Sequence, residues 1–393
     1  DNQLDYVLND VENNKRFNDK LVSSNMGFGL GWKVKWNKNT TQNTTAFFSD
    51  YKLNYNFITR EGDTQISDFE KRNTIFDSGV SSEVIFDRSK ASKLTIGYQY
   101  ALKDVAYAFL NTTNLSFILD TEQNIIQTHS LYGQYDYKNP KIFDLSFGLR
   151  STYFNELDAV RLEPRLVIYK SLTKNLKFQG SAEIKNQIIS EIDETILSDL
   201  SLENRLWRLA DGNKFPIINS RQVSAGFIYI KKGLNIDVDA YHKKLNNITA
   251  LSLGFLNPDN GSFNIGQRNI IGLDIFAQKQ FNGFNSWLSY SLNQSHSRFE
   301  NLNNNKDFTS KSNVIHSVSA ALNYKLDGFQ FALGWKWQTG KPYTIANDSS
   351  DGLEFNDGIN TGELPIYHRL DLSSTFNFKM SKHNKLRGKI GLS

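Results

Sequence analysis

The sequence predicts an all-β chain folded as a transmembrane antiparallel up-and-down β-barrel. Three observations predict it. Strict apolar/polar alternation recurs along most of the 393 residues. The connections alternate between tight turns and long polar loops, and no run of about eighteen apolar residues offers a transmembrane helix. A barrel strand crosses a bilayer with about 9–11 residues, of which every second one is apolar. A mean hydropathy of −0.48 is therefore compatible with a membrane.

In chain order, extended segments are expected near residues 26–36, 43–58, 70–86, 93–108 and 126–137. Phe143, Leu145, Phe147 and Leu149 then alternate with Asp144, Ser146, Gly148 and Arg150. Segments near 161–171, 176–186 and 221–231 follow, and Leu234, Ile236 and Val238 alternate with Asn235, Asp237 and Asp239. After segments near 267–281, 285–298 and 314–326 comes the clearest case, Phe329, Phe331, Leu333, Trp335 and Trp337 against Gln330, Ala332, Gly334, Lys336 and Gln338. Leu370, Leu372, Phe376 and Phe378 repeat the split, and a segment near 386–393 closes a set of roughly sixteen strands.

Tight turns are expected at Lys138-Asn139-Pro140, Thr173-Lys174-Asn175, Asn282-Gly283 and Asp327-Gly328, against long loops near 109–124, 187–220, 249–266, 299–312 and 342–365. Short turns at one end and long loops at the other are the asymmetry of bacterial outer-membrane barrels, with turns in the periplasm and loops outside. A soluble propeller or sandwich has strands of about five or six residues, shorter than most of these. The pairs Trp32 and Trp36, Tyr135 and Tyr137, and Trp335 and Trp337 sit near strand ends, where aromatic girdles meet the lipid interface.

Two surfaces are open to a ligand. Charged residues on the polar face are tolerated where water or protein fills the lumen, which marks Arg161, Glu163 and Arg165 on one strand and Arg369 and Asp371 on another. Pairing across neighbouring strands is the simpler role for each. Among the loops, Trp207, Asp348, Asp351 and Asp357 are candidates. Asn347 to Asp351 with Asp357 offers oxygen ligands but lacks the spacing of a calcium loop, and reads as a solvated segment. Ile188, Ile192, Ile196 and Leu200 fall four apart, which predicts one face of a short helix packed on the barrel rim.

Chemistry on a bond has little support. The 45 Lys plus Arg nearly balance 41 Asp plus Glu, so no basic tract points to nucleic acid. Cysteine is absent, which excludes disulfides and thiolate sites, and the six histidines are scattered without metal-site spacing. No phosphate loop and no nucleophile elbow appears, so neither a cofactor nor an enzymatic activity is expected.

Several short runs, in order, carry a family resemblance. Arg161-Leu162-Glu163-Pro164-Arg165-Leu166 resembles a Glu-Pro-Arg strand start, and Pro216, Gly226 and Asp239-Ala240-Tyr241-His242-Lys243-Lys244 resemble the strand pair that follows it. Asn264-Ile265-Gly266 leading to Gly272-Leu273-Asp274, Thr339-Gly340-Lys341-Pro342-Tyr343, and His368-Arg369-Leu370-Asp371-Leu372 resemble three later strand signatures. Together they resemble the barrel of TonB-dependent receptors, the plugged 22-stranded importers of Gram-negative outer membranes. Leu206 to Asp211 before Pro216 resembles receptors of the Bacteroidota.

The resemblance implies active import of a scarce ligand such as an iron-siderophore or other small chelate. Coupling to TonB runs through a plug domain that this sequence lacks, so residues 1–393 are expected to be an incomplete barrel of about 16 of 22 strands. Outer-membrane lipid is a further implied partner. A surface lipoprotein is another, although the loops are short for the glycan importers that use one. A passive porin or a structural barrel subunit of an envelope complex is the alternative.

Overall fold

The computed structural model describes residues 2–10, 14–111, 117–139, 141–194, 205–251, 263–344, 347–349, 352–354, 358–379 and 387–393. A chain with an apolar side chain at every second position can present them on one face only in a period-two conformation, and nearly all of these residues are extended. The strands run β1 (Asn2–Asp10), β2 (Lys15–Asn37), β3 (Thr40–Glu61), β4 (Thr64–Asp87), β5 (Ser92–Asn111), β6 (Phe117–Asn139), β7 (Phe143–Phe154), β8 (Ala159–Ser171) and β9 (Leu176–Gln187). Two short strands, β10 (Ile189–Glu194) and β11 (Arg205–Leu209), precede β12 (Ile218–Lys231), β13 (Leu234–Leu251), β14 (Phe263–Phe281) and β15 (Phe284–Phe299). A 3-10 turn at Asn303–Asn305 and β16 (Phe308–Thr309) lead to β17 (His316–Leu326) and β18 (Phe329–Gln338). The minor strands β19 (Pro342–Tyr343), β20 (Asn347–Ser349), β21 (Gly352–Glu354) and β22 (Gly362–Glu363) are followed by β23 (Tyr367–Lys379) and β24 (Arg387–Leu392).

Twenty strands share one sheet; setting aside β10, β11 and β16, the other seventeen form an antiparallel meander in chain order. This is the expected up-and-down architecture. Among the described residues β1 pairs with β2 alone and β24 with β23 alone, so these two edges do not meet.

The connections have the expected polarity. Lys232-Gly233, Asn282-Gly283 and Asp327-Gly328 are two-residue hairpin turns with positive φ at both positions, the geometry whose twist matches paired strands. They lie at one end of the sheet, the turn side, with the turns after β2, β4, β6 and β8. The opposite, loop side carries the longer connections. The 109–124 region is narrower as a loop than its composition predicts, because β5 continues to Asn111 and β6 begins at Phe117.

The predicted short helix is a correction: residues 189–194 are strand, with Ile188, Ser190 and Ile192 buried in alternation. A spacing of four is two strand periods as well as about one helical turn, so it cannot separate the two conformations. Residues 196 and 200 lie outside the described residues.

One face of the meander carries lipid-like side chains on strand after strand. On β2, Met26, Phe28, Leu30 and Trp32 are 61–64 % exposed. In register across the sheet, Phe147, Leu166, Ala182 and Val223 continue the same outer surface. The expected outer set on β18 behaves alike, with Phe329, Phe331 and Trp335 exposed. The inner face is polar toward the turn side, where Asp136 accepts from Ser146 and Gln134 and pairs with Lys93 at 3.3 Å.

Candidate functional site

The buried apolar residues gather at the loop side, in clusters against the inner faces of β4 to β7 and of β13 to β15. β2 to β6 run 20–24 residues, about twice what a bilayer requires. Their outer faces turn polar part-way up. On β4, Phe86, Val80 and Phe76 give way to Arg72 and Glu70, which are bonded at 2.7 and 3.0 Å. That guanidinium holds the Glu70 carboxyl below its ordinary range, against the opposing effect of burial. Opposite, the inner residues Phe69, Val105, Tyr107, Phe109, Ile126 and Phe154 form an apolar lining.

The β10–β11 hairpin folds onto this lining instead of extending into solvent. Ile192 and Leu206 pack with Phe69, Tyr107 and Phe109, while Ile188 and Leu209 pack with Val105, Ile126 and Phe154. Two polar residues fix the contact. Asn73, 1 % exposed, accepts from the Trp207 backbone N–H at 2.8 Å and donates to the carbonyls of Trp207 (3.2 Å) and Ala106 (2.9 Å). Its amide thus pairs with β11 as a strand would. Arg208 lies 4.3 Å from the ring centroids of both Tyr107 and Phe215 and forms an ion pair with Glu122. Its Nη1 has no hydrogen-bond partner among the described residues. Nearby, the Tyr55 hydroxyl donates to Asp19 at 3.2 Å and the Lys71 ammonium stands 5.6 Å from the Tyr55 ring centroid.

A second infolded segment narrows the same mouth, where Leu302, Phe308 and Ile359 pack with Phe299 and Ile248. Between the two infolded pieces lies a cavity of about 170 Å³ lined by Ser190, Glu191, Arg268, Ser297, Lys311 and Asn360, among others. Carboxylate, guanidinium, ammonium, hydroxyl and amide groups offer non-covalent recognition of a polar solute. Among the described residues, no group of three or more His, Asp or Glu side chains is placed to hold a metal ion.

The residues singled out from the sequence fall in separate places. Arg161, Glu163 and Arg165 occupy the face opposite the exposed Val160, Leu162 and Leu166. Glu163 pairs with Arg150 across the strands at 3.8 Å and accepts from the Asn186 N–H at 2.7 Å, and Arg165 pairs with Glu183 at 3.5 Å. The Arg161 guanidinium donates to the Val160 carbonyl. Arg369 and Asp371, bonded at 2.8 Å, share one face of β23 opposite the exposed Leu370 and Leu372. Trp207 reaches the mouth, as described. Asp348 lies on β20, paired with β21, and Asp351 and Asp357 lie outside the described residues. Sequence reasoning passed over Asn73, Tyr107, Glu122 and Arg208. Only the Trp207 segment carried a usable signal.

Residues 2–390 match the family described as TonB dependent receptor-like, beta-barrel. The chain belongs to that family. This TonB-dependent receptor barrel is accordingly an outer-membrane protein of a transporter and receptor family. Its fold is similar to the ferric citrate transporter FecA in unliganded form, with TM-score 0.64 and 12% identity over 96% of this chain and 57% of that one. It is also similar to the ferric yersiniabactin uptake receptor FyuA from Yersinia pestis, with TM-score 0.62 and 10% identity over 92% and 54%. The copper transporter OprC follows with TM-score 0.57 and 12% identity over 92% and 67%. The chain thus spans just over half the length of the first two. No curated protein matches it.

Two family-motif positions meet in the receptor barrel. Tyr241 and Gly272 are cross-strand partners, and the tyrosine ring lies 2.2 Å from where a Cβ on Gly272 would stand. Gly97 and Tyr132 repeat the arrangement. In both pairs the tyrosine ring covers the glycine of the neighbouring strand.

Proposed function

We propose that this receptor barrel serves TonB-dependent active import of a scarce ligand, an iron-siderophore or similar small chelate, across the outer membrane. The observation that supports the reading is the mouth. Infolded segments leave a small chamber of mixed charge above a polar lumen, a form suited to holding a solute for later release. Ferric and copper transporters are among the similar folds. The coupling partner in this reading is TonB, reached through a plug. A Bacteroidota source and a surface lipoprotein partner belong to the same proposal.

The test is uptake of iron-loaded chelates by cells that express the full-length protein, with and without TonB and with and without an uncoupler. Saturable uptake that disappears in both controls is expected. Uptake that survives both, with conductance for small solutes in planar bilayers, would establish the passive porin instead.

A further inference from the structure

The outer surface of β7 to β13 carries a feature that import does not use. An apolar groove of about 490 Å³ crosses it, lined by Phe147, Pro164, Leu166, Ala182 and Val223. Ala182 forms its low point, since its register neighbours Leu166 and Val223 stand above it on either side. At the loop-side end of the groove stand Arg221 and Lys244.

These two cations are directly opposed in the β12–β13 register and lie on the same outward face as Val223 and His242. Like charges placed directly opposite repel, and a sheet normally separates or neutralises them. Among the described residues neither is neutralised. Arg221 donates from Nε to Asn219 at 3.1 Å, and no described carboxylate lies within ion-pairing distance of either residue. The height of the pair is informative. Arg221 is ten residues above Lys231 and Lys244 ten above Leu234, the two residues flanking a turn-side hairpin. At about 3.3 Å per residue and a tilt of roughly 40°, that is about 25 Å, the height of a barrel's apolar band. The unneutralised cations therefore stand where the outer leaflet changes from acyl chain to headgroup.

We infer that this groove binds a phosphate-bearing lipid of the outer leaflet, with an acyl chain against Leu166, Ala182 and Val223 and a headgroup phosphate between Arg221 and Lys244. Each cation makes a charge-assisted hydrogen bond to the phosphate. The bound anion removes the repulsion within the pair, so lipid occupancy also steadies the β12–β13 hairpin.

The experiment is native mass spectrometry of the purified full-length protein in detergent, titrated with diphosphoryl lipid A and, separately, with the same lipid stripped of its phosphates. One tightly retained equivalent of the phosphorylated lipid is expected, with the stripped lipid held about tenfold less tightly or worse. This comparison needs no variant. The double substitution Arg221→Gln with Lys244→Gln is expected to weaken the phosphorylated lipid by a similar factor, and Ala182→Phe, which fills the groove, to release it as well. Each variant is first checked for heat-modifiable migration as a folded barrel. Equal retention of the two lipids by the wild type overturns the inference. So does full displacement of the lipid by inorganic phosphate alone, which would make the pair a free-anion site.

Discussion

Replacing Asn73 by alanine should unfasten the β10–β11 hairpin without unfolding the barrel. The side chain makes three hydrogen bonds, two of them to the backbone of Trp207, in a place where Asn73 is almost wholly buried. Alanine leaves the Trp207 N–H and two carbonyls without that partner, and an unsatisfied buried backbone group costs about 1–3 kcal/mol. Some of this is recovered by local adjustment, so a net loss of about 2–4 kcal/mol in the local closing free energy is expected. At about 1.4 kcal/mol per tenfold, amide exchange across residues 205–209 should accelerate by roughly thirty- to several-hundredfold. Strands β17 and β18, which do not touch the hairpin, should exchange at unchanged rates. Asn73→Asp, nearly isosteric, should be at least as disruptive, because it sets a carboxylate oxygen against two carbonyls. Hydrogen exchange read by mass spectrometry in detergent decides it. Unchanged protection of 205–209 in both variants would show that the hydrophobic contacts hold the hairpin alone and that the Asn73 argument is wrong.

Arg208→Lys keeps the charge but loses the planar stack between Tyr107 and Phe215. A weakening of about 1–3 kcal/mol is expected, seen as faster limited proteolysis within β11, whereas wild-type cleavage would mean that the Glu122 pair suffices. Gly272→Ala drives a methyl into the Tyr241 ring and should cost about 1–3 kcal/mol, measured as a lower denaturant midpoint for barrel unfolding; Tyr241→Ala in the same chain should recover part of the loss. Asp307, on the connection after β15, accepts from Arg298 at 2.8 and 3.0 Å, and this bonding keeps its carboxyl below the usual aspartate range. Its folded pKa is depressed, so its contribution is present above the unfolded value of about 3.9 and is lost as pH falls through the lower folded value. Exchange of residues 300–307 should therefore quicken in acid beyond the intrinsic rate, and Arg298→Gln should abolish that excess.

Much of the barrel is legible because the period of two is repeated so many times. Which face of β18 or β23 meets lipid follows from parity alone, and so do turns such as Asp327-Gly328, where positive φ at two consecutive residues favours Asp and Gly. The mouth is much less legible. Asn73 looks like any polar lumen residue, and its partner Trp207 is 134 positions away. Ile188 and Ile192 carry a spacing common to a helix and a strand, and only the β10–β11 pairing decides between them. The height of β2 to β6 was hidden for a different reason. Above the lipid their outer residues become polar, so Lys20 and Gln123 fall outside the segments expected near 26–36 and 126–137 although the backbone continues its ladder.

That continued ladder gives the molecule a lopsided profile. A strand of 24 residues at the usual tilt rises roughly 60 Å, of which about 25 Å is lipid, whereas the 10 residues of β18 only match the apolar band. The described sheet is thus a palisade on one flank and a low wall on the other. In the proposed import, the inner side of that palisade is the surface a solute arriving over the low flank would meet, and it is the side that carries Tyr107, Asn73 and the folded-in hairpin.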